Sequence, residues 1–546
     1  MEFDYIIVGA GSAGCLLANR LTESGKHTVC LLEAGPMDRN PFIHIPAGFT
    51  KTVLDEKLNW LYTTEPCWGT NGRSIPTPRG RVLGGSSSIN GLVYSRGSKE
   101  DFNSWAQLGN IGWGYDDLLP CFRKIENYKS TESQYRSKRK KDFLYRGTNG
   151  ELTITDLLWR DPLCEAFISA AQSFGMPRNE DYNGSTQEGV SYVQRTTRGR
   201  FRVSSAGAFL KPIKKRNNLY IKSDVLVTKI IIKNNNAIGV SFKNFSQNGP
   251  EKALFSKREV VVSCGAINSP QLLQVSGIGP GNLLKSKGIE VVQHLTGVGE
   301  NLRDHYATRL TGRAKNVETI NELSRGRKLL GQMVKYCLGQ RSILELGPTL
   351  VYCFWHSNPN VRNNDLQITF TPASYAKGQQ AELDKEPGFS ITTWPQRPES
   401  SGWVRIKSSD PFEKPIIQPN YLSSEQDQRV LLSGIKLSRK IMRSPAMSKF
   451  YDYEVYPGDH ITSDEDLLSM ARDRSTTTYH LIGTCRMAKL QSDASAVVDH
   501  KLRVYGISNL RVIDASIMPM MPSANVNAAV MAIAEKGAQL ILGVDH

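Results

Sequence analysis

Three glycines and one acid carry the first chemistry in this chain. Gly9-x-Gly11-x-x-Gly14 follows the β-branched run Tyr5-Ile6-Ile7-Val8 and precedes a segment, Cys15 to Thr22, that reads as a helix. In such a turn the first glycine permits the sharp reversal and the second lets backbone approach a pyrophosphate. The third lets helix and strand pack closely. The helix N-terminus then aims unpaired N–H groups at phosphate. Glu33 closes the next apolar run, Thr28 to Leu32, about 20 residues on, where an acid accepts from ribose hydroxyls. The pattern predicts a dinucleotide site. Spacing alone does not separate FAD from NAD, but the acid argues against a 2′-phosphate and so against NADP.

A redox cofactor needs a group that handles protons, and histidine titrates nearest neutrality. The chain has nine: His27, His44, His294, His305, His356, His460, His480, His500 and His546. Neither composition nor spacing ranks one above another. The nine cysteines include no CxxC pair, so zinc or iron–sulfur ligation is not expected and no metal is assigned. Free thiols in a reducing compartment are the simplest reading.

The elements that must position these groups follow from periodicity. Asn71 to Gly97, rich in Gly, Ser, Pro and Arg, reads as a long irregular loop, and such loops are usually functional. Leu219 to Ile232 and Ala237 to Phe242 read as a hairpin broken by Asn234-Asn235-Asn236, and Glu259 to Ser263 as a buried strand. Leu366 to Thr371 and Gly402 to Lys407 suggest an antiparallel sheet, and Arg325 to Leu338 a helix. Leu510 to Asp514 returns to a dinucleotide-type strand, followed by a helix from Val526 to Leu542.

The expected class is α/β (α+β overall): a discontinuous Rossmann-type dinucleotide-binding domain, FAD-binding by the family resemblance that follows, with an inserted substrate domain built on an antiparallel sheet flanked by helices. The expected flavin parts are 1–155, 215–309 and 456–546, the last with the catalytic residues; the substrate parts are 156–214 and 310–455.

Four segments carry a resemblance. Gly80-Arg81-Val82-Leu83-Gly84-Gly85-Ser86-Ser87-Ser88-Ile89-Asn90 resembles the first signature of the glucose–methanol–choline (GMC) oxidoreductase family, and Gly265 to Gly279 its second. Gly297-Val298-Gly299-Glu300-Asn301-Leu302-Arg303-Asp304-His305 is a further match, as are Tyr479-His480 and Asn525-Val526-Asn527. The look is that of choline dehydrogenase-like proteins and bacterial FAD alcohol dehydrogenases.

The resemblance implies FAD, bound around Gly9, Gly11, Ser12, Ala13, Gly14, Glu33 and Ala34, with Arg81, Gly85, Ser86, Asn90, Gly91 and Val93 lining it. It implies that the backbone of Val227 meets the adenine and that Asp514, Ala515 and Asn527 sit by the isoalloxazine. Some family members join flavin through a histidine where this chain has Ile89, so non-covalent FAD is expected. His480 is implied as the base and Asn525 as its partner. An amide orients an oxygen but takes no proton at neutral pH. His305 is assigned to packing.

The expected reaction is oxidation of a primary alcohol to the aldehyde by hydride transfer to flavin N5. An oxygen-reducing alcohol oxidase, or a lyase or decarboxylase on the same fold, are the rivals. The expected partners are a small-molecule alcohol and an electron acceptor, with quinone or another carrier ahead of oxygen. Phe354, Trp355, Phe370 and Tyr375 are the aromatics available for an ammonium cage, and core packing explains them equally well.

Lys plus Arg number 68 against 52 Asp plus Glu, a net charge of +16. That balance suits nucleic acid, an anionic membrane surface or an acidic substrate. No nucleic-acid fold signature is present. The densest basic run, Arg136 to Lys141, reads as a solvated loop. No apolar run is long enough to span a bilayer and no signal peptide precedes the first strand, so a cytoplasmic location is expected, with peripheral contact at the inner membrane as the second reading.

Overall fold

Short β-branched runs between glycine turns build the first sheet. The computed structural model describes residues 1–129, 144–245, 249–376 and 382–544, so the basic run from Arg136 lies outside the described residues. Glu2–Val8, buried along its apolar end, lies parallel between Val29–Leu32 and Lys252–Val262. Leu219–Lys222 extends the parallel set beyond Val29–Leu32. Lys252–Val262 is long enough to serve two partners on its far edge. Its first half runs antiparallel to Asn236–Asn244, and its last three residues run parallel to Leu510–Val512.

The stretch from Leu219 to Ile232 is two strands rather than one. Asp224 takes a left-handed turn at φ 57°, so Leu219–Lys222 joins the parallel set and Val225–Lys233 forms the hairpin with Asn236–Asn244. Asn234 and Asn235, at φ 51° and 56°, supply the two left-handed residues that a tight hairpin turn requires.

The second sheet is antiparallel. Its order is Tyr451–Tyr456, Tyr306–Ala314, Gly388–Pro395, Leu366–Thr371, Val351–Trp355 and Gly189–Tyr192, with Thr476–Thr477 paired to the start of Tyr306–Ala314. Trp403–Arg405 is not part of it and pairs with Ile416–Gln418 as a separate ribbon. Helices Pro162–Ser173 and Glu425–Met442 cover one face. Phe370 stacks on Phe167 at 4.5 Å, and a Cβ on Gly434 would touch Thr393 and Leu366. Side chains alternate across a strand. Tyr352, Gln367, Thr369, Thr392, Trp394 and Arg309 therefore project from the opposite face, where Tyr352 reaches Asn525 and Trp394 packs near His305.

Helix Ser12–Thr22 packs against the last helix, Val526–Leu542, and buried Arg20 joins Glu535 across them at 2.7 Å. Helix Gly326–Cys337 is turned the other way from most surface helices. It buries Gln332 and Tyr336, while Leu330, Met333, Val334 and Leu338 are exposed.

Candidate active site

The glycine turn is shaped for something thin and anionic. A Cβ on Gly9 would come within 2.6 Å of the Ser263 carbonyl, and one on Gly14 within 1.9 Å of the Gly9 carbonyl. One on Gly11 would meet nothing nearer than 3.9 Å. The outer glycines are thus closed by protein and the middle one faces open space. Gly85 closes over it, with its own Cβ position 2.7 Å from the Gly11 Cα. Helix Ser12–Thr22 starts there with no side-chain cap, which leaves its N–H groups for a phosphate.

Glu33 accepts from the Ala10 and Gly35 amides at 2.9 Å each. Burial pushes its carboxyl up to about 7, and the amide bonds oppose this only in part. Hydroxyl donors from a ribose would add to them. The residues present fit FAD.

The other expected cofactor residues fall in several places. Ser12 donates to Asn527 at 2.7 Å, a contact between residues 515 apart in sequence. Asp514 accepts from the Gly265 and Ser516 amides and from Ser269, and burial raises its carboxyl despite these bonds. It locks the strand Leu510–Val512 to the second signature, and Ala515 follows it. Ser86 accepts from the Gly80 amide at 3.1 Å. Ala13 is buried in the first helix and Ala34 is half-buried after Glu33. Val227 lies buried in the hairpin strand Val225–Lys233.

Gly91 abuts Pro348, and Val93 bridges to Arg195 on the substrate side. The Arg81 guanidinium donates to the Glu56 carbonyl at 2.7 Å and stacks 4.1 Å from Phe245. Asn90 accepts from Arg202 at 2.7 Å. Arg202 is a buried cation that no motif announces, and burial alone lowers its guanidinium to about 9.

His480 is held by two successive residues of the matched turn. Asp304 accepts from the His480 amide at 2.8 Å, and also from Tyr421 and Thr477. His305 Nδ1 lies 2.9 Å from His480 Nδ1. Tyr479, between Thr478 and His480, sits at φ 69°, a strained conformation for a bulky residue that these bonds enforce. Asn525 is the N-cap position of the last helix but makes no capping bond. Its amide is used in the site instead, with Nδ2 3.0 Å from His480 Nε2 and Oδ1 accepting from Tyr352 at 2.9 Å.

A single carbonyl fixes the direction of this whole chain of bonds. His305 Nε2 lies 2.7 Å from the Gln396 carbonyl, which can only accept. Burial lowers His305 to about 4, so at neutral pH it has one ring proton, and that proton is on Nε2. His305 Nδ1 is then an acceptor, so His480 carries its proton on Nδ1 and shares it with Thr478 at 2.8 Å. His480 Nε2 is left unprotonated, its lone pair accepting from the Asn525 amide at 3.0 Å. Burial, then His305 and Arg79, hold the His480 imidazole well below its usual value, so it is neutral. His305, read from the sequence as packing, is in direct contact with His480. Asp304 and Tyr352 were not singled out. Asp304 lay within a matched motif, whereas Tyr352 sits in an apolar strand that gives no signal.

A discontinuous dinucleotide fold set against an antiparallel substrate sheet defines a two-domain flavin-dependent oxidoreductase. The chain belongs to the GMC oxidoreductase family: the family's N-terminal model matches residues 3–307 and its C-terminal model residues 398–534. It is 40% identical to oxygen-dependent choline dehydrogenase of Photobacterium profundum, over 99% of this chain and 93% of that protein. It is also 40% identical to an alcohol dehydrogenase [acceptor] of Pseudomonas putida, over 99% and 96%. Among solved structures, pyridoxine 4-oxidase from Mesorbium loti superposes with a TM-score of 0.88 at 30% identity, covering 100% of both chains. Formate oxidase of Aspergillus oryzae RIB40 gives 0.90 at 27%, covering 99% and 98%. The protein is an FAD-dependent enzyme acting on CH–OH donors.

Among the described residues no helix is long and apolar enough to cross a membrane, and no cluster of His, Cys, Asp and Glu could hold a metal.

Proposed function

We propose that the protein oxidises a primary alcohol to its aldehyde, with His480 Nε2 taking the hydroxyl proton. The observation that carries this is an unprotonated His480 Nε2 that accepts from Asn525 Nδ2, the ring proton being drawn to Nδ1 by the contacts with His305 and, through it, the Gln396 carbonyl. FAD held at the Gly9–Gly14 turn and Glu33 would supply the hydride acceptor. The protein's part is to bind, orient and deprotonate. Asn525 Nδ2, 3.0 Å from Nε2, is placed to donate to the alcohol oxygen as its charge develops. Tyr352 holds the amide in that orientation by occupying Oδ1. A low imidazole pKa keeps the base unprotonated across the neutral range, and burial strengthens its bond to the alcohol.

Ile89, buried within the first signature, has no nucleophilic atom, which supports dissociable FAD. For the acceptor, helix Gly326–Cys337 favours a carrier that resides in a membrane. Its outward apolar residues lie among exposed Arg325, Arg327, Lys335 and Arg341, the pattern of a helix lying on an anionic bilayer. The enzyme then works as a dehydrogenase with a quinone, at the cytoplasmic face of the inner membrane.

The test is anaerobic mixing with a panel of alcohols, reading loss of the flavin absorbance. Bleaching by primary alcohols is expected, with His480→Ala retaining FAD but reducing it slower by several powers of ten. Undiminished reduction in that variant would remove His480 from its role.

A further inference from the structure

We propose that the alcohol carries a carboxylate, and that Arg309 on the flavin-facing side of the substrate sheet binds it. This rests on the reading that alcohols are oxidised at His480.

The placement comes from register. Tyr352, Thr369, Thr392 and Arg309 lie directly opposite one another across four adjacent strands. Directly paired residues share a face of the sheet. Tyr352 touches Asn525, so Arg309 projects from the face that bears the catalytic pair. Trp394, two residues along from Thr392 on the same face, lies 6.3 Å from His305, ring centre to ring centre. The Arg309 and Trp394 backbones are thus about 8 Å apart, from one strand spacing and two residue rises.

Among the described residues Arg309 has no counter-ion. Its guanidinium stacks at 4.3 Å over Tyr375, and its Nε is buried without an acceptor. No carboxylate among the described residues pairs with it. Arg313, farther along the same strand, takes both Asp384 and Glu386. The contrast is local: the segment leading into Gly388–Pro395 supplies two acids to the outer end of the strand, and neither pairs with Arg309.

The neighbouring row tells the same story. Gln367 and Trp394 are register partners, 1% and 4% exposed. Among the described residues, both amide atoms of Gln367 and the indole nitrogen of Trp394 have no partner. Unpaired buried polar groups are strongly disfavoured, and three residues with such groups lie on the one sheet face that also bears Tyr352, which reaches Asn525. A carboxylate matches the guanidinium fork and the indole N–H, since both only donate. A trimethylammonium offers no acceptor and is repelled by the guanidinium. The net charge of +16 also favours the approach of an anion.

The experiment is anaerobic flavin reduction by a series of ω-hydroxy carboxylates against n-alkanols and choline of matched length, measured as limiting rate over apparent Kd. The wild type is expected to prefer the hydroxy acids by about 10- to 100-fold, the worth of one charge-assisted pair. Arg309→Gln should collapse that ratio, and Arg309→Lys should restore part of it. Both variants are first checked for FAD content and Tm. Binding of a non-reducing carboxylate, read as a shift of the oxidised flavin spectrum, should weaken in parallel.

Preference for alkanols or choline in the wild type, or an unmoved ratio in folded, yellow Arg309→Gln, would overturn the proposal and leave alcohol oxidation standing. Failure of every alcohol to bleach the flavin would sink the parent reading instead.

Discussion

Replacing His305 with Phe isolates the tautomer argument. The ring volume is nearly kept, so packing against Trp394 survives, but both ring nitrogens are lost. The Gln396 carbonyl loses the donor at 2.7 Å, and His480 Nδ1 loses the acceptor at 2.9 Å. Thr478 remains beside Nδ1, and its hydroxyl can either accept or donate. The His480 proton is then free to move to Nε2, where it blocks the base.

The preference lost is that of one buried hydrogen bond, about 1–3 kcal/mol, or a fall of roughly 5- to 150-fold in the limiting rate of flavin reduction. The pH profile adds a second readout. His305 is one of the causes that depress His480, so its removal raises the His480 pKa. A base works only when unprotonated, and activity is lost as pH falls through its pKa. The acid limb of the wild type should therefore lie well below 6.5, and that of His305→Phe should move up toward it. Anaerobic stopped-flow reduction from neutral pH downward measures both effects. A limiting rate and an acid limb that match the wild type would refute the chain of bonds from Gln396 to His480.

Three further outcomes are expected. Tyr352→Phe frees Asn525 to flip its amide, so flavin reduction should slow by about 5- to 10-fold with FAD content unchanged, the worth of one neutral hydrogen bond; an unaltered rate would show that Tyr352 orients nothing. Gly11→Val should give a folded but colourless protein, because its side chain enters space open to the cofactor rather than to protein; full flavin occupancy after purification would count against the site. In flotation assays the wild type should rise with vesicles containing anionic lipid and be released by high salt, whereas Leu330→Asp with Leu338→Asp should stay in solution; equal flotation of the double variant would exclude the helix as the contact.

What the sequence made legible was whatever depends on near neighbours. Gly9, Gly11 and Gly14 could be read as the turn between a strand and a helix because strand, turn and helix follow one another within a few residues. The break at Asp224 could not be read, because apolar runs on both sides carry no glycine or proline to mark it. Asn525 could be placed at a helix start, but whether its side chain capped that helix or served the site depends on Tyr352 and His480 arriving from other strands and loops. Arg309 and Trp394 were equally silent. Their meaning comes from register across four strands and from which face the helix Glu425–Met442 covers, and neither is written in local spacing.

The contact between Ser12 and Asn527, with the strand Leu510–Val512 laid beside Lys252–Val262, sets the order of events during synthesis. A nascent chain that has passed its first glycine turn already holds the phosphate loop, yet the wall that completes the cradle has not left the ribosome. Closing this edge of the sheet therefore waits for the C-terminal segment, and until then the edge of Lys252–Val262 is a surface for chaperones to guard.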